Sequence, residues 1–177
     1  AYYRRGQIAE ELVRWHDAAD HYARAAALAP NFERLRKARE HLWRAGRHAR
    51  ALALGPDLIA AAIAEHGEGS AEHATALNAH ALTLDAMGRY PQAEPLYRQA
   101  MEIGERTIGT DHPDYAISLN NLANLLRDTG RHEEAEPLYR QAMETTGEAL
   151  GTDHPDYATR LNNLANLLRD TGRHEEA

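Results

Sequence analysis

Residues 109–135 read GTDHPDYAISLNNLANLLRDTGRHEEA, and 42 positions later residues 151–177 read GTDHPDYATRLNNLANLLRDTGRHEEA. Of these 27 positions 25 are identical, and only Ile117/Thr159 and Ser118/Arg160 differ. The same offset carries Glu94–Glu102 onto Glu136–Glu144 without a change, and a more divergent first copy occupies 67–108. Self-similarity at a fixed period of this size specifies an array of like units, each packing on its neighbours.

Within one period the pattern predicts helix, turn, helix. Leu119, Leu122, Ala123 and Leu126 recur at helical spacing and define an apolar stripe. Gly130 then stands where a left-handed C-cap is needed. A second stripe follows at Ala135, Leu138, Tyr139, Ala142 and Met143. Alanines at 123, 135 and 142 let two helix backbones approach closely, and Tyr139 fills the space between neighbouring pairs. Gly147 and Gly151 bracket a connector in which Asp111 or His112 suits an N-cap and Pro113 suits the first turn. Asp114 then faces the positive end of the helix dipole. Pro95 and Pro137 fall near the end of the second helix's first turn, where at most one hydrogen bond is lost.

The residues Gly-x-Asp-His-Pro-Asp, Leu-Asn-Asn-Leu-Ala and Gly-Arg-x-x-Glu-Ala-Glu-Pro-Leu-Tyr-x-x-Ala-Met resemble the tetratricopeptide repeat, in the 42-residue form of kinesin light chains and many bacterial proteins. The resemblance covers 67–177. It implies an all-α fold, a right-handed α-solenoid of antiparallel helix pairs. The expected units are 67–108, 109–150 and 151–177, the last ending after the start of its second helix. Residues 1–66 read as two eroded hairpins. Gly6, Ala18, Tyr22, Ala25 and Pro30 match the shorter 34-residue signature, and Leu35, Leu42, Gly46 and Ala51 begin a second unit that Gly55-Pro56 interrupts. Residues 58–66 are expected to form a helix packing on the first long repeat.

Stacked hairpins of this family leave a concave surface lined by the first helix of each repeat. Asn120, Asn124 and Arg127 step by four and three and so share a helical face, with Asn121 beside them. Asn162, Asn163, Asn166 and Arg169 repeat the set, and Asn78 holds the first slot in the earlier copy. Asparagine is a poor helix former, so its concentration here needs a cause. An amide offers both donor and acceptor, which suits an extended peptide backbone. In tetratricopeptide proteins that bind peptides, asparagines at matching places do this work, and the resemblance implies the same role here. The alternative is structural: the amides bond one another or the connectors as a ladder between repeats, with Asn121 and Asn163, nearer the apolar stripe, the first candidates.

Other chemistries find little support. The chain has no cysteine, which excludes disulfides, thiolate nucleophiles and thiolate metal sites. His112 and His154 recur once per period on separate connectors, a spacing that does not gather ligands round one ion. His132 and His174 take a slot that holds Tyr90 in the earlier copy, so packing accounts for them. Ser70 and Ser118, the only serines, sit in no hydrolase motif, and no Gly-rich phosphate loop is present. Trp15 and Trp43 read as packing residues. No catalytic residue, metal or cofactor is expected.

The net charge of −7 hides an asymmetry, since residues 1–66 are net basic and 67–177 strongly acidic. An acidic half disfavours nucleic-acid phosphate. No run approaches the roughly 20 apolar residues of a membrane span, and no apolar stretch follows the first residues, so a cytoplasmic address is expected. The partner expected is a protein or peptide. The chain opens on Ala1 and stops within a repeat, which suggests a piece of a longer array. A bacterial sensor segment beside a STAND-type ATPase, caspase-like protease or TIR domain is therefore a competing function, and end-to-end self-association is a third.

Overall fold

The computed structural model describes residues 2–4, 7 and 15–176, without the Trp15 side chain; Gly6, one of the signature positions above, lies outside these. Among the described residues the following helices occur in chain order. They are α1 (Trp15–Leu28), α2 (Phe32–Arg44), α3 (His48–Ala53), α4 (Gly55–His66), α5 (Ala71–Ala86), α6 (Tyr90–Thr107), α7 (Pro113–Asp128), α8 (His132–Leu150) and α9 (Pro155–Asp170). They group into two compact units, residues 1–89 and 90–177. The boundary falls at the turn inside the 67–108 period.

In the first unit α1 packs on α2, and α4 packs on α5. The core gathers Ala18, Tyr22, Ala26, Phe32, Leu35, Ala38, Leu58, Ala62 and Ala76. Its many alanines mean close backbones rather than large side chains, and Tyr22 supplies bulk by stacking its ring on buried His41 at 4.7 Å. Asn31 caps α2 by accepting from the Arg34 N–H, and Ser70 caps α5 by accepting from the His73 N–H.

The turns of this unit follow the longer period. Gly46, Gly88, Gly130 and Gly172, each 42 residues after the last, all have positive φ of 70–79°. The chain reverses the same way at each full turn of this kind: Arg47 donates to the Leu42 carbonyl and Arg131 to the Leu126 carbonyl, both at 2.8 Å. Only a residue without Cβ takes this conformation cheaply. The 42-residue register thus reaches back to α2, where the spacing of 34 is expected from the signature residues.

One consequence is at Gly55, which stands 42 residues before Tyr97 and 84 before Tyr139. The predicted interruption is real: α3 ends at Ala53, Leu54 sits between, and α4 begins at Gly55 with Pro56 in its first turn. Where the later repeats place a tyrosine ring, this one has none, and the His80 imidazole of α5 lies against the bare backbone. A Cβ on Gly55 would come within 1.8 Å of His80 Nδ1.

In the second unit α7 packs antiparallel to α8, flanked by α6 on one side and α9 on the other. Leu122, Leu125, Tyr139 and Ala142 are completely buried. Two rings of charge tie successive second helices to the turns that follow them. Arg131 Nη1 meets Glu94 Oε2 at 2.8 Å and its Nε meets Glu134 Oε1 at 2.7 Å, while Arg98 reaches Glu94 at 2.7 Å and Glu134 at 3.7 Å. One period later Arg173, Glu136, Glu176 and Arg140 repeat the ring, with Arg173–Glu136 at 2.6 Å. Isolated surface pairs contribute little, but a closed network that spans repeats fixes their register.

Gly55→Ala should improve helix propensity yet lower stability by about 1–3 kcal/mol, because the methyl displaces a packed ring. Thermal unfolding of that variant, and of Gly55→Ala/His80→Ala, checks this; the double variant should regain most of the loss. The charge rings predict acid sensitivity. Hydrogen bonding from Arg140, with Arg173, holds Glu136 below the ordinary glutamate value of 4.5. Burial raises Glu94, but bonds from Arg98 and Arg131 outweigh it and the net shift is downward. A carboxyl depressed by folding stabilises fully above its unfolded value and loses that contribution as pH falls through the folded one. The melting temperature should therefore hold down to about pH 5 and fall below it, less steeply in Arg131→Gln/Arg173→Gln.

Candidate functional site

The amide-rich helices are built alike. His112 Nδ1 accepts from the Asp114 N–H at 3.1 Å and His154 Nδ1 from the Asp156 N–H at 3.2 Å, so histidine, not the preceding aspartate, is the N-cap. Pro113 and Pro155 occupy the first turn, where the missing N–H costs nothing. The helices run to Asp128 and Asp170 and end before the positive-φ glycines.

Packing on three sides buries most of α7: Tyr115, Ala116, Leu119, Leu122, Ala123, Leu125 and Leu126 all face protein. What remains outward is a narrow stripe. Ile117 is 39% exposed, Asn121, Asn124 and Arg127 are half-buried, and Asp128 is exposed.

This division separates the expected amide set. Asn120 is only 3% exposed, and its Oδ1 accepts from Asn163 Nδ2 on α9 at 2.9 Å. The structural ladder weighed from the sequence therefore exists, but its buried member is Asn120 rather than Asn121. The reason is that α9 covers the 120 side of α7, so the i+1 position rotates toward solvent. Asn121 keeps both polar groups outward, with no hydrogen bond among the described residues. Asn163 uses one donor in the ladder and leaves its oxygen unengaged.

Asn124 has a different partner. Tyr139, completely buried, donates its hydroxyl to Asn124 Oδ1 at 2.6 Å. Burial pushes the Tyr139 phenol up to about 12, the nearby Arg127 opposing it. Sequence spacing gave no sign of this bond, since the two residues belong to different helices and Tyr139 reads simply as a space-filling ring. Arg127 lies along Asp128, Nη2 to Oδ1 at 3.0 Å.

On α9, Asn162 and Arg169 are exposed and Asn166 is half-buried, with the Arg169 guanidinium donating to the Asn166 oxygen. Asn163, Asn166 and Arg169 together with Asn121, Asn124 and Arg127 thus lie in the second unit. Asn78 is on α5, half-buried, in the first unit.

No group of three or more histidines, aspartates or glutamates among the described residues is placed to hold a metal ion. No described helix is long and apolar enough to cross a membrane. A shallow recess of about 380 Å³ opens between Gly130–Glu134 and Thr171, but its guanidinium, Arg131, is engaged by Glu94 and Glu134.

The two adjacent asparagines should behave oppositely on truncation. Asn120→Ala removes a buried acceptor and should cost about 1–2 kcal/mol, whereas Asn121→Ala should stay within about 0.5 kcal/mol of the parent. Urea unfolding monitored by helical circular dichroism measures both.

No curated protein matches the sequence. Among solved structures, BtubC (BKLC) from P. vanneervenii is similar at 18% identity and a TM-score of 0.80, over 97% of this chain and 72% of that one. A putative kinesin light chain of Podosopora anserina with nearly identical TPR-like repeats gives 17% identity and a TM-score of 0.81, over 99% and 87%. A Rap protein complexed with competence and sporulation factor gives 16% and 0.79, over 99% of this chain and 50% of that one. At these identities the likeness shows the fold, an all-α helical-repeat solenoid. The sequence pattern of the tetratricopeptide repeat matches residues 40–106, 72–146 and 119–177, more than half of the chain, which therefore belongs to the tetratricopeptide repeat family and is a protein-interaction repeat module.

Proposed function

We propose that this chain holds an extended peptide, or an extended segment of a protein, along the outward stripes of α7 and α9, and that it does so without catalysis. The observation that supports this most strongly is the set of half-exposed amides, Asn121 and Asn124 on one helix and Asn163 and Asn166 on the next, that recurs at the repeat period. Helix stability does not ask for them, since asparagine costs roughly 0.5 kcal/mol or more against alanine at each position. Packing explains Asn120, and only partly explains the others.

A peptide group has one donor and one acceptor, and a row of side-chain amides meets both without reading side-chain identity. Ile117, apolar and exposed within the stripe, offers the contact that amides cannot. Each backbone bond contributes roughly 0.5–1.5 kcal/mol, so several with an apolar contact give micromolar binding, about −8 kcal/mol. The Rap structure named above holds a factor, which is consistent with a partner-bound use of this fold. The residues proposed to contact the peptide are Asn121, Asn124, Asn163 and Asn166, flanked by Arg127, Asn162 and Arg169, and Asn120 serves through the ladder.

Phage-displayed random dodecapeptides panned on the folded chain should enrich a binder. Asn121→Ala/Asn163→Ala should then weaken that dodecapeptide by roughly 5- to 100-fold in fluorescence anisotropy, with helical content retained. No enrichment, or equal affinity for the variant, would contradict the proposal.

A further inference from the structure

We infer that Tyr139 is a positioning residue that fixes the Asn124 amide with its NH2 group outward, so that this point of the surface accepts only hydrogen-bond acceptors, the carbonyls of a bound peptide. The inference deepens the peptide-binding proposal and rests on it.

The argument begins with the tyrosine. Tyr139 is completely buried at the middle of α8, and a buried hydroxyl left without a partner costs far more than an ordinary bond gains. The phenol keeps its proton, so that proton needs an acceptor. Asn124 Oδ1, at 2.6 Å, is the acceptor it has. Turning the amide over would point the Nδ2 donor at the phenol and leave the buried phenolic proton without its acceptor. The orientation is therefore set from inside the protein.

What this leaves outside is a donor. Asn124 Nδ2 makes no hydrogen bond among the described residues, while the residue itself is half-exposed. An unrestrained surface asparagine presents either end to a ligand; this one presents only N–H. The position one period on behaves in the same sense by another route, because the Arg169 guanidinium occupies the Asn166 oxygen. Asn163 is complementary: its nitrogen is engaged by Asn120 and its oxygen is unengaged. The amides are thus polarised, donors at 124 and 166 and an acceptor at 163, rather than interchangeable. Leu82 stands where the preceding period would carry the Asn124 equivalent, so the first long repeat lacks the tyrosine–asparagine pair.

Two measurements test this. In the free chain, NMR should show a slowly exchanging Tyr139 hydroxyl proton with a cross-peak to the Asn124 side chain, and Asn124 NH2 protons that exchange with water freely. In Tyr139→Phe the fold should persist, since the two rings have one shape, while the Asn124 amide loses its single orientation. Protected Asn124 NH2 protons beside a fast-exchanging phenol would overturn the inference with no peptide needed.

The second uses the phage-selected dodecapeptide. Asn124→Asp keeps the oxygen that accepts from Tyr139 but replaces the outward NH2 by oxygen, and it should weaken binding about tenfold or more, against roughly two- to fivefold for Tyr139→Phe. Equal binding by Asn124→Asp, with Asn121→Ala/Asn163→Ala still impaired, would overturn the orientation while leaving the peptide site standing. Equal binding by every variant would remove the peptide site itself.

Discussion

A pair of antiparallel helices is too thin to enclose anything: each helix covers one side of its neighbour and leaves the other bare. Tyr139, Leu122 and Leu125 are nevertheless fully buried, because α6 and α9 lie against the α7–α8 hairpin. Burying one such side chain stabilises by roughly 1.5–3 kcal/mol, and no hairpin obtains that alone. Repetition is therefore the condition for folding. The inter-repeat contacts that look like ornament, the Asn120–Asn163 bond and the Glu–Arg rings, set the register in which repetition works.

The same constraint generates the surface proposed to bind a peptide. When three sides of α7 are committed to packing, the fourth is a stripe only a few residues wide, and its chemistry is free to serve a partner. In the second unit that stripe carries amides, and a tyrosine from the core reaches one of them. In the first unit the spacing of turns is kept but the tyrosine position is Gly55, and a histidine from α5 takes the vacated space. One scaffold thus tolerates two solutions for filling the same gap, large residue from the second helix or large residue from the first helix of the next repeat.

Most of this architecture was legible beforehand, for a physical reason. Helix stripes, proline-started first turns and positive-φ glycines are local, and a period of 42 residues repeats them until chance is excluded. The break at Gly55-Pro56 was legible too, since the dipeptide disrupts a helix wherever it falls. The amide site was legible as a set and not as roles. Asn120 and Asn121 differ by 100° on a helical wheel, and which of them is covered depends on where α9 lies, which is not a local property. The Tyr139–Asn124 bond depends on the angle between two helices and left no trace in spacing. The register of residues 1–66 was obscured because their side chains match the short repeat while their turns match the long one.

The outward amide stripe, and not the charged second helices, is the surface proposed to bind the peptide. Side-chain amide chemical shifts measured while the selected dodecapeptide is titrated into labelled protein distinguish the two surfaces. Asn121, Asn124, Asn163 and Asn166 should shift together and saturate at one concentration while the Gln141 side-chain amide of α8 stays still. Movement confined to α8 and the Glu–Arg rings, with those four asparagines unmoved, would contradict that assignment.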